Sequence, residues 1–262
     1  MRAPKVRRRR SKLQLRRGIY IIPSLFTVAN MFAGFLSVVA ASRGQMERAA
    51  VLILIAIAAD VLDGRIARLT GATTSFGEAY DSLADVISFG AAPALLAYHW
   101  GLWMEPRIGM FFSFLFLVGG SIRLARFNTT SHDERNFVGL PIPAGAGGIA
   151  MLVLMSPSPV KHPLFVPVVV VFVFGLSLLM VSNLPYRSFK DINLHRQWPA
   201  STLFAVALVV ALVILKPRAV ALVLSVMLAI YVLSAPAAVL TRRFRPDRRT
   251  DPETTHGHPG AD

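Results

Sequence analysis

Of the 262 residues, 54% are hydrophobic and only 16% charged, with a mean hydropathy of +0.56. A soluble domain of this length needs a far more charged surface, so composition excludes one and points to an integral membrane protein. The formal net charge of +14 does not argue for nucleic acid, because nine of the first 17 residues and five of residues 242–249 are Lys or Arg; basic flanks beside apolar spans mark cytoplasmic ends that meet anionic lipid.

In chain order, residues 1–17 predict a basic cytoplasmic arm. Residues 24–42 form the first apolar stretch, 19 residues long and enough to cross a bilayer, so it reads as a retained helix rather than a cleaved signal. Further apolar stretches follow at 49–69, 86–103, 109–127, 139–155, 164–184, 200–215 and 220–240. The fold class is therefore all-α: a polytopic membrane protein of about eight transmembrane helices. An even count puts both ends on one side, and the basic residues agree. The connections on that side carry Arg65 and Arg68, then Arg123, Arg126 and Arg135, then Arg187, Lys190 and Arg196. The opposite side has only Arg43, Arg48, Arg107, Lys161, Lys216 and Arg218. Both termini are predicted cytoplasmic in an inner membrane, with Trp100 and Trp103 at the outer interface and Trp198 at the inner one. Residues 242–262 read as a disordered tail. The absence of cysteine leaves only oxygen or imidazole to bind a metal.

Five of the 14 acidic residues, Asp60, Asp63, Glu78, Asp81 and Asp85, fall within 26 residues that border or enter spans. A carboxylate at the bilayer centre costs about 2.5–3.5 kcal/mol, so such a group needs cations, protons or water. Asp60, Asp63, Gly64 and Ala67 follow the i, i+3, i+4, i+7 spacing of one helix face, and Gly77, Asp81 and Asp85 follow i, i+4, i+8. The short connection at 70–75 makes the two helices antiparallel neighbours, so four aspartates converge on one pocket. Carboxylates alone suit hard divalent cations, Mg²⁺ or Mn²⁺, and four are enough to bridge two. The small residues leave room for a ligand near the backbone, although close helix packing explains Gly and Ala equally well. Glu78 lies off the stripe.

The segment DVLDGRIARLTGATTSFGEAYDSLAD reads D-x2-D-G-x2-A-R-x8-G-x3-D-x3-D and resembles the signature of the CDP-alcohol phosphatidyltransferase family at Asp60, Asp63, Gly64, Ala67, Arg68, Gly77, Asp81 and Asp85. The resemblance implies a metal-dependent transferase that moves a phosphatidyl group from a CDP-lipid to an alcohol and releases CMP. It implies Asp60, Asp63 and Asp81 as ligands of two divalent cations. Asp85, as ligand or base, stands nearest the attacking alcohol, and the base assignment stays open between Asp81 and Asp85. Gly64, Ala67, Arg68 and Gly77 would accommodate the CDP-lipid. Thr27 and Asn30, polar within the first span, either complete that pocket or make satisfied packing contacts.

Acceptor choice is carried by other stretches. PSLFTVANMFAGF, DSLADVISFGAAPALLAY, SIRLARFN, FVGLPIPAGAG and, weakly, SNLPYRSFK resemble the membrane-embedded bacterial phosphatidylserine synthases, a branch of the family. That branch implies CDP-diacylglycerol and L-serine as substrates, a cytoplasmic active site and a homodimer. It assigns residues 18–198 to a six-helix family domain and 199–241 to two additional helices. Arg123 and Arg126 stand three apart at an inner helix end, where guanidinium groups bind a carboxylate or phosphate by paired hydrogen bonds or anchor the helix to headgroups. Two rival readings are a sister enzyme using glycerol 3-phosphate, inositol phosphate or another alcohol, and a divalent-cation or proton transporter. The transporter is disfavoured because the second half of the chain holds no matching set of acids.

Overall fold

The computed structural model describes residues 7–70, 74–129, 137–186 and 199–243, with side chains for 25–66, 74–129, 139–184, 207–232 and Ser234. Helix α1 (Arg7–Ser42) turns at Gly44, φ +75°, into α2 (Met46–Thr70). Then come α3 (Ser75–Asp85), a π-helical stretch (Val86–Ala91), α4 (Ala92–Ala97) and a second π-helical stretch (Tyr98–Leu102), all in one continuous rod. Helices α5 (Pro106–Thr129), α6 (Ile142–Met155), α7 (Val166–Val181, entered through a 3₁₀ turn at Pro163–Phe165), α8 (Pro199–Leu215) and α9 (Pro217–Arg243) complete the bundle.

The described residues thus make eight helical rods, close to the expected apolar stretches. The first begins at Arg7, so most of the predicted arm continues the helix backbone. Three rods are long and apolar enough to cross a membrane: Leu25–Ser42, Pro106–Thr129 and Pro163–Val181. Helix α2 carries the charged signature residues, and α6 has only 14 residues, about 21 Å of helix. The stretch expected to be helical from 139 starts instead at Ile142, because Gly139 adopts φ +81° and leads into Pro141. Just before it, β1 (Phe137–Val138) pairs antiparallel with β2 (Pro185–Tyr186). Among the described residues this two-residue ribbon is the departure from an all-α chain, and it joins two of the stretches singled out above.

The core forms where small residues let helices approach. Ala33, Ala40 and Ala41 on α1 meet Ala49, Ala50, Ile53 and Ala56 on α2, all buried. Phe89, Leu96, Phe116, Leu140, Ile149, Leu154 and Met180 fill the interior between the rods. Large apolar side chains also cover the outside, among them Phe32 and Phe35 on α1, Phe111 and Phe114 on α5, Val168 and Val171 on α7, and Met227 and Ile230 on α9. So many outward apolar groups are stable only against hydrocarbon. Trp103 is half exposed, as an interfacial indole should be. Trp100 instead turns inward, its indole N–H donating to Ser156 O at 2.7 Å and its carbonyl accepting from Val160 N–H at 2.8 Å. Trp198, the arginines and lysine expected at 187–196, and the predicted tail beyond Arg243 lie outside the described residues.

Candidate metal and substrate site

Helix α1 organises the site. It packs on α2, α3, the first π-helical stretch and α4, so the two aspartate-bearing helices meet across it rather than along one another. Thr27, Asn30, Gly34 and Ser37 recur at i, i+3, i+7 and i+10, a polar and small stripe turned into the bundle. The Thr27 hydroxyl donates to Asp63 Oδ2, Asn30 Nδ2 donates to Asp85 Oδ1 at 3.3 Å, and Ser37 Oγ donates to Ala49 O at 2.8 Å. Ser88, one turn beyond Asp85, donates to Asn30 O at 2.9 Å. A β-carbon at Gly34 would lie 2.6 Å from Ser88 Cα, so only glycine permits this approach.

The aspartates gather as the spacing predicts, with one distinction. One carboxylate oxygen each from Asp60, Asp81 and Asp85 lies within 4.8 Å of the others, a grouping able to hold a metal ion. Asp63 is not in that trio. It is buried, tied to Thr27, and close enough to Asp81 for the two charges to interact. Asp63 Oδ1 and Asp81 Oδ1 are buried with no hydrogen-bond partner. Like charges held this close, with lone pairs directed at no donor, are what a hard divalent cation satisfies, so the residues fit the metal that the signature implies.

The other expected residues divide. Gly64 is half-buried on α2; Ala67 and Arg68 lie on its last turns, and their side chains fall outside the described residues. Gly77 stands in the first turn of α3, where its N–H donates to the capping Thr74 hydroxyl at 3.0 Å. Glu78 is exposed, as its place off the stripe requires. Arg123 is buried on α5 and near enough to Asp85 for attraction, with Nε unpartnered and the guanidinium 5.7 Å from the centre of the Phe127 ring. Arg126, three residues on, is exposed. His162 caps its own 3₁₀ turn, donating nothing to the site.

Sequence reasoning missed four contributors. Asn128 Nδ2 donates to Ser82 Oγ at 2.9 Å, tying the end of α5 to the aspartate helix. Ser88 and Gly34 set the approach of α1. Tyr231, from a helix expected to be a mere addition, is half-buried and interacts electrostatically with Arg123. Asn128 carries a signal in the sequence, as the last residue of the SIRLARFN stretch; Gly34, Ser88 and Tyr231 act through partners remote in sequence and carry none.

A lipid-exposed helical bundle with a carboxylate trio at one depth and a buried guanidinium beside it has the parts for chemistry on a phosphate-bearing lipid. Residues 20–181 match the family model described as CDP-alcohol phosphatidyltransferase, and the chain belongs to that family. It is 40% identical over 206 residues to the CDP-diacylglycerol–serine O-phosphatidyltransferase of Helicobacter pylori (strain ATCC 700392 / 26695), covering 76% of this chain and 84% of that protein. It is 31% identical over 169 residues to the enzyme of the same name from Bacillus subtilis (strain 168), covering 64% and 91%. An archaetidylserine synthase of Methanothermobacter thermautotrophicus is 36% identical over 167 residues, covering 63% of this chain and 69% of that one.

Proposed function

We infer that the protein is a membrane enzyme that transfers the phosphatidyl group of CDP-diacylglycerol to the hydroxyl of L-serine, giving phosphatidylserine and CMP. The observation that carries this is the carboxylate trio, built from both halves of the family signature. The names of the relatives supply the acceptor, since enzymes with different lipid donors share serine in the product.

In this reading Asp60, Asp81 and Asp85, with Asp63 behind them, hold two divalent cations, Mg²⁺ or Mn²⁺. Bound there, they would neutralise the pyrophosphate and its leaving group. Asp63 keeps its orientation through Thr27, and Asp85 through Asn30. Gly64, Ala67, Arg68 and Gly77 line the CDP moiety. Arg123 receives the serine carboxylate or a donor phosphate by paired hydrogen bonds. Asp85 or Asp81 takes the hydroxyl proton as the serine oxygen bonds to the lipid phosphorus, and the bond from phosphorus to CMP breaks in line. The eight rods would be eight crossings, with residues 18–198 as the catalytic domain, both termini and the acids on the cytoplasmic side of an inner membrane, and a homodimer as the assembly.

The test is CMP release by purified protein in CDP-diacylglycerol mixed micelles with Mn²⁺, offering L-serine, glycerol 3-phosphate and inositol phosphate separately. Release with serine alone, abolished by Asp85→Asn, is expected. Release with another acceptor alone would overturn the serine assignment. Silence with all three, in folded protein, would overturn the transferase reading.

A further inference from the structure

Between α2, α6, α8 and α9 lies a cleft of about 330 Å³ whose lining has no polar side chain. Leu54 and Val61 bound it on α2, Met151 on α6, Val209 and Val213 on α8, and Leu224 on α9. The α2 wall is a single stripe, and Val61 directly follows Asp60 of the carboxylate trio. From Val61 to Leu54 the stripe runs about 10 Å along the helix, away from its charged end. The cleft therefore starts at the depth of the acids and leads from them into the apolar part of the bundle. Two of its four walls, α8 and α9, lie beyond the segment matched to the family.

We propose that this cleft is the seat of one acyl chain of the diacylglycerol donor, and that α8 and α9 serve to build it. The proposal rests on the transferase reading. A substrate whose phosphorus reaches Asp60 must lay its hydrocarbon beside α2, and this cleft begins at the next residue, Val61, with carbon surface alone. Polar ligands find nothing there to bond. A pocket this apolar gains from hydrocarbon contact in proportion to the area covered, which favours long chains over short ones. Met151 and Leu54 are buried at its floor, while Val209 and Val61 are partly exposed toward its mouth, so a chain enters sideways from the bilayer.

The test compares oleoyl and hexanoyl CDP-diacylglycerol as donors for the full-length protein and three variants. Val213→Trp fills the buried wall, and Val209→Trp narrows the mouth; the second keeps the test informative if the first does not fold. Leu212→Trp, on the same helix but outside the lining, is the control. Both cleft variants should raise KM for the oleoyl donor by about tenfold, the loss of roughly two buried methylene groups. KM for serine and for the hexanoyl donor should stay unchanged, and the control should match wild type. The proposal is overturned if both donors shift equally, if neither shifts, or if Leu212→Trp gives the same shift, which would indicate a bilayer lipid packed on α8 instead. Wild-type protein silent with both donors overturns the transferase reading itself; active wild type with unaffected cleft variants overturns this proposal alone.

Discussion

Gly34→Ala is the most exacting test of how α1 builds the site. The new methyl carbon would sit 2.6 Å from Ser88 Cα and 2.9 Å from Ser88 Cβ, against an ordinary carbon–carbon separation of about 3.5–4.0 Å. Because one clashing atom is backbone, no rotamer change relieves it, and α1 must move from the π-helical stretch by roughly 1 Å. That shift stretches the Ser88 to Asn30 bond and the 3.3 Å hydrogen bond from Asn30 to Asp85. Overpacking of this kind costs about 1–3 kcal/mol of stability. A misplacement of about 1 Å at reacting groups lowers a rate about a hundredfold. The expected result is folded protein with a lowered Tm and kcat/KM for CMP release down by about two orders of magnitude. Ser88→Ala in the same chain removes the hydroxyl but leaves the steric conflict with the backbone at position 88, so it should not restore activity. Gly175→Ala is the control, since its added carbon meets nothing within 4 Å. Wild-type kcat/KM in Gly34→Ala would refute the reasoning, because α1 would then not fix Asp85.

Chelation of divalent cations should abolish CMP release, and Mn²⁺ or Mg²⁺ should restore it, whereas Asp60→Asn should raise the metal concentration needed for half-maximal rate; unchanged metal dependence would remove Asp60 from the ligand set. Arg123→Ala should raise KM for serine or for the CDP-lipid by at least tenfold, the worth of a charge-assisted hydrogen bond of about 1.5–3 kcal/mol, measured by varying each substrate separately. Tyr231→Phe should shift the same KM in the same direction by a smaller factor, with metal dependence unaltered. Gly139→Ala should lower Tm, since a left-handed backbone costs a non-glycine residue about 1–2 kcal/mol, and the added carbon would also press on the carbonyls of Met180 and Ser182; thermal unfolding in detergent reads it directly.

The aspartates were legible because helical spacing alone puts Asp60 beside Asp63 and Asp81 beside Asp85, and intramembrane acids are too costly to be incidental. What spacing did not tell was how the two stripes divide their work. Asp63 shares a face with Asp60, yet it is the one turned to Thr27, because α1 lies against that side. Arg123 and Arg126 look equivalent in a three-residue interval, but the packing of α5 buries the first and exposes the second. Trp100 resembled an interfacial indole until the 156–160 connection folded over it. Tyr231 stood in a plain apolar run with no local mark. Its meaning comes from Arg123, on a helix more than a hundred residues earlier in the chain.

The π-helical stretch after Asp85 has a consequence for the phase of the whole rod. Pro93 lacks the N–H that would bond the carbonyl of Phe89, and the widened turns before it, with Ala92 N–H reaching Ile87 O, absorb the defect. Each residue of an α-helix turns the chain by about 100° and each residue of a wider π turn by only roughly 80°, so winding the six residues Val86–Ala91 as regular α-helix at unchanged length would rotate Asp81 and Asp85 by about 100° relative to Leu96 and Trp100. The acids would face away from Asp60 while the apolar half of the rod stayed seated. The irregular turn acts as a phase shifter: it lets one rod obey two registers, one set by the bundle core and one set by the carboxylates.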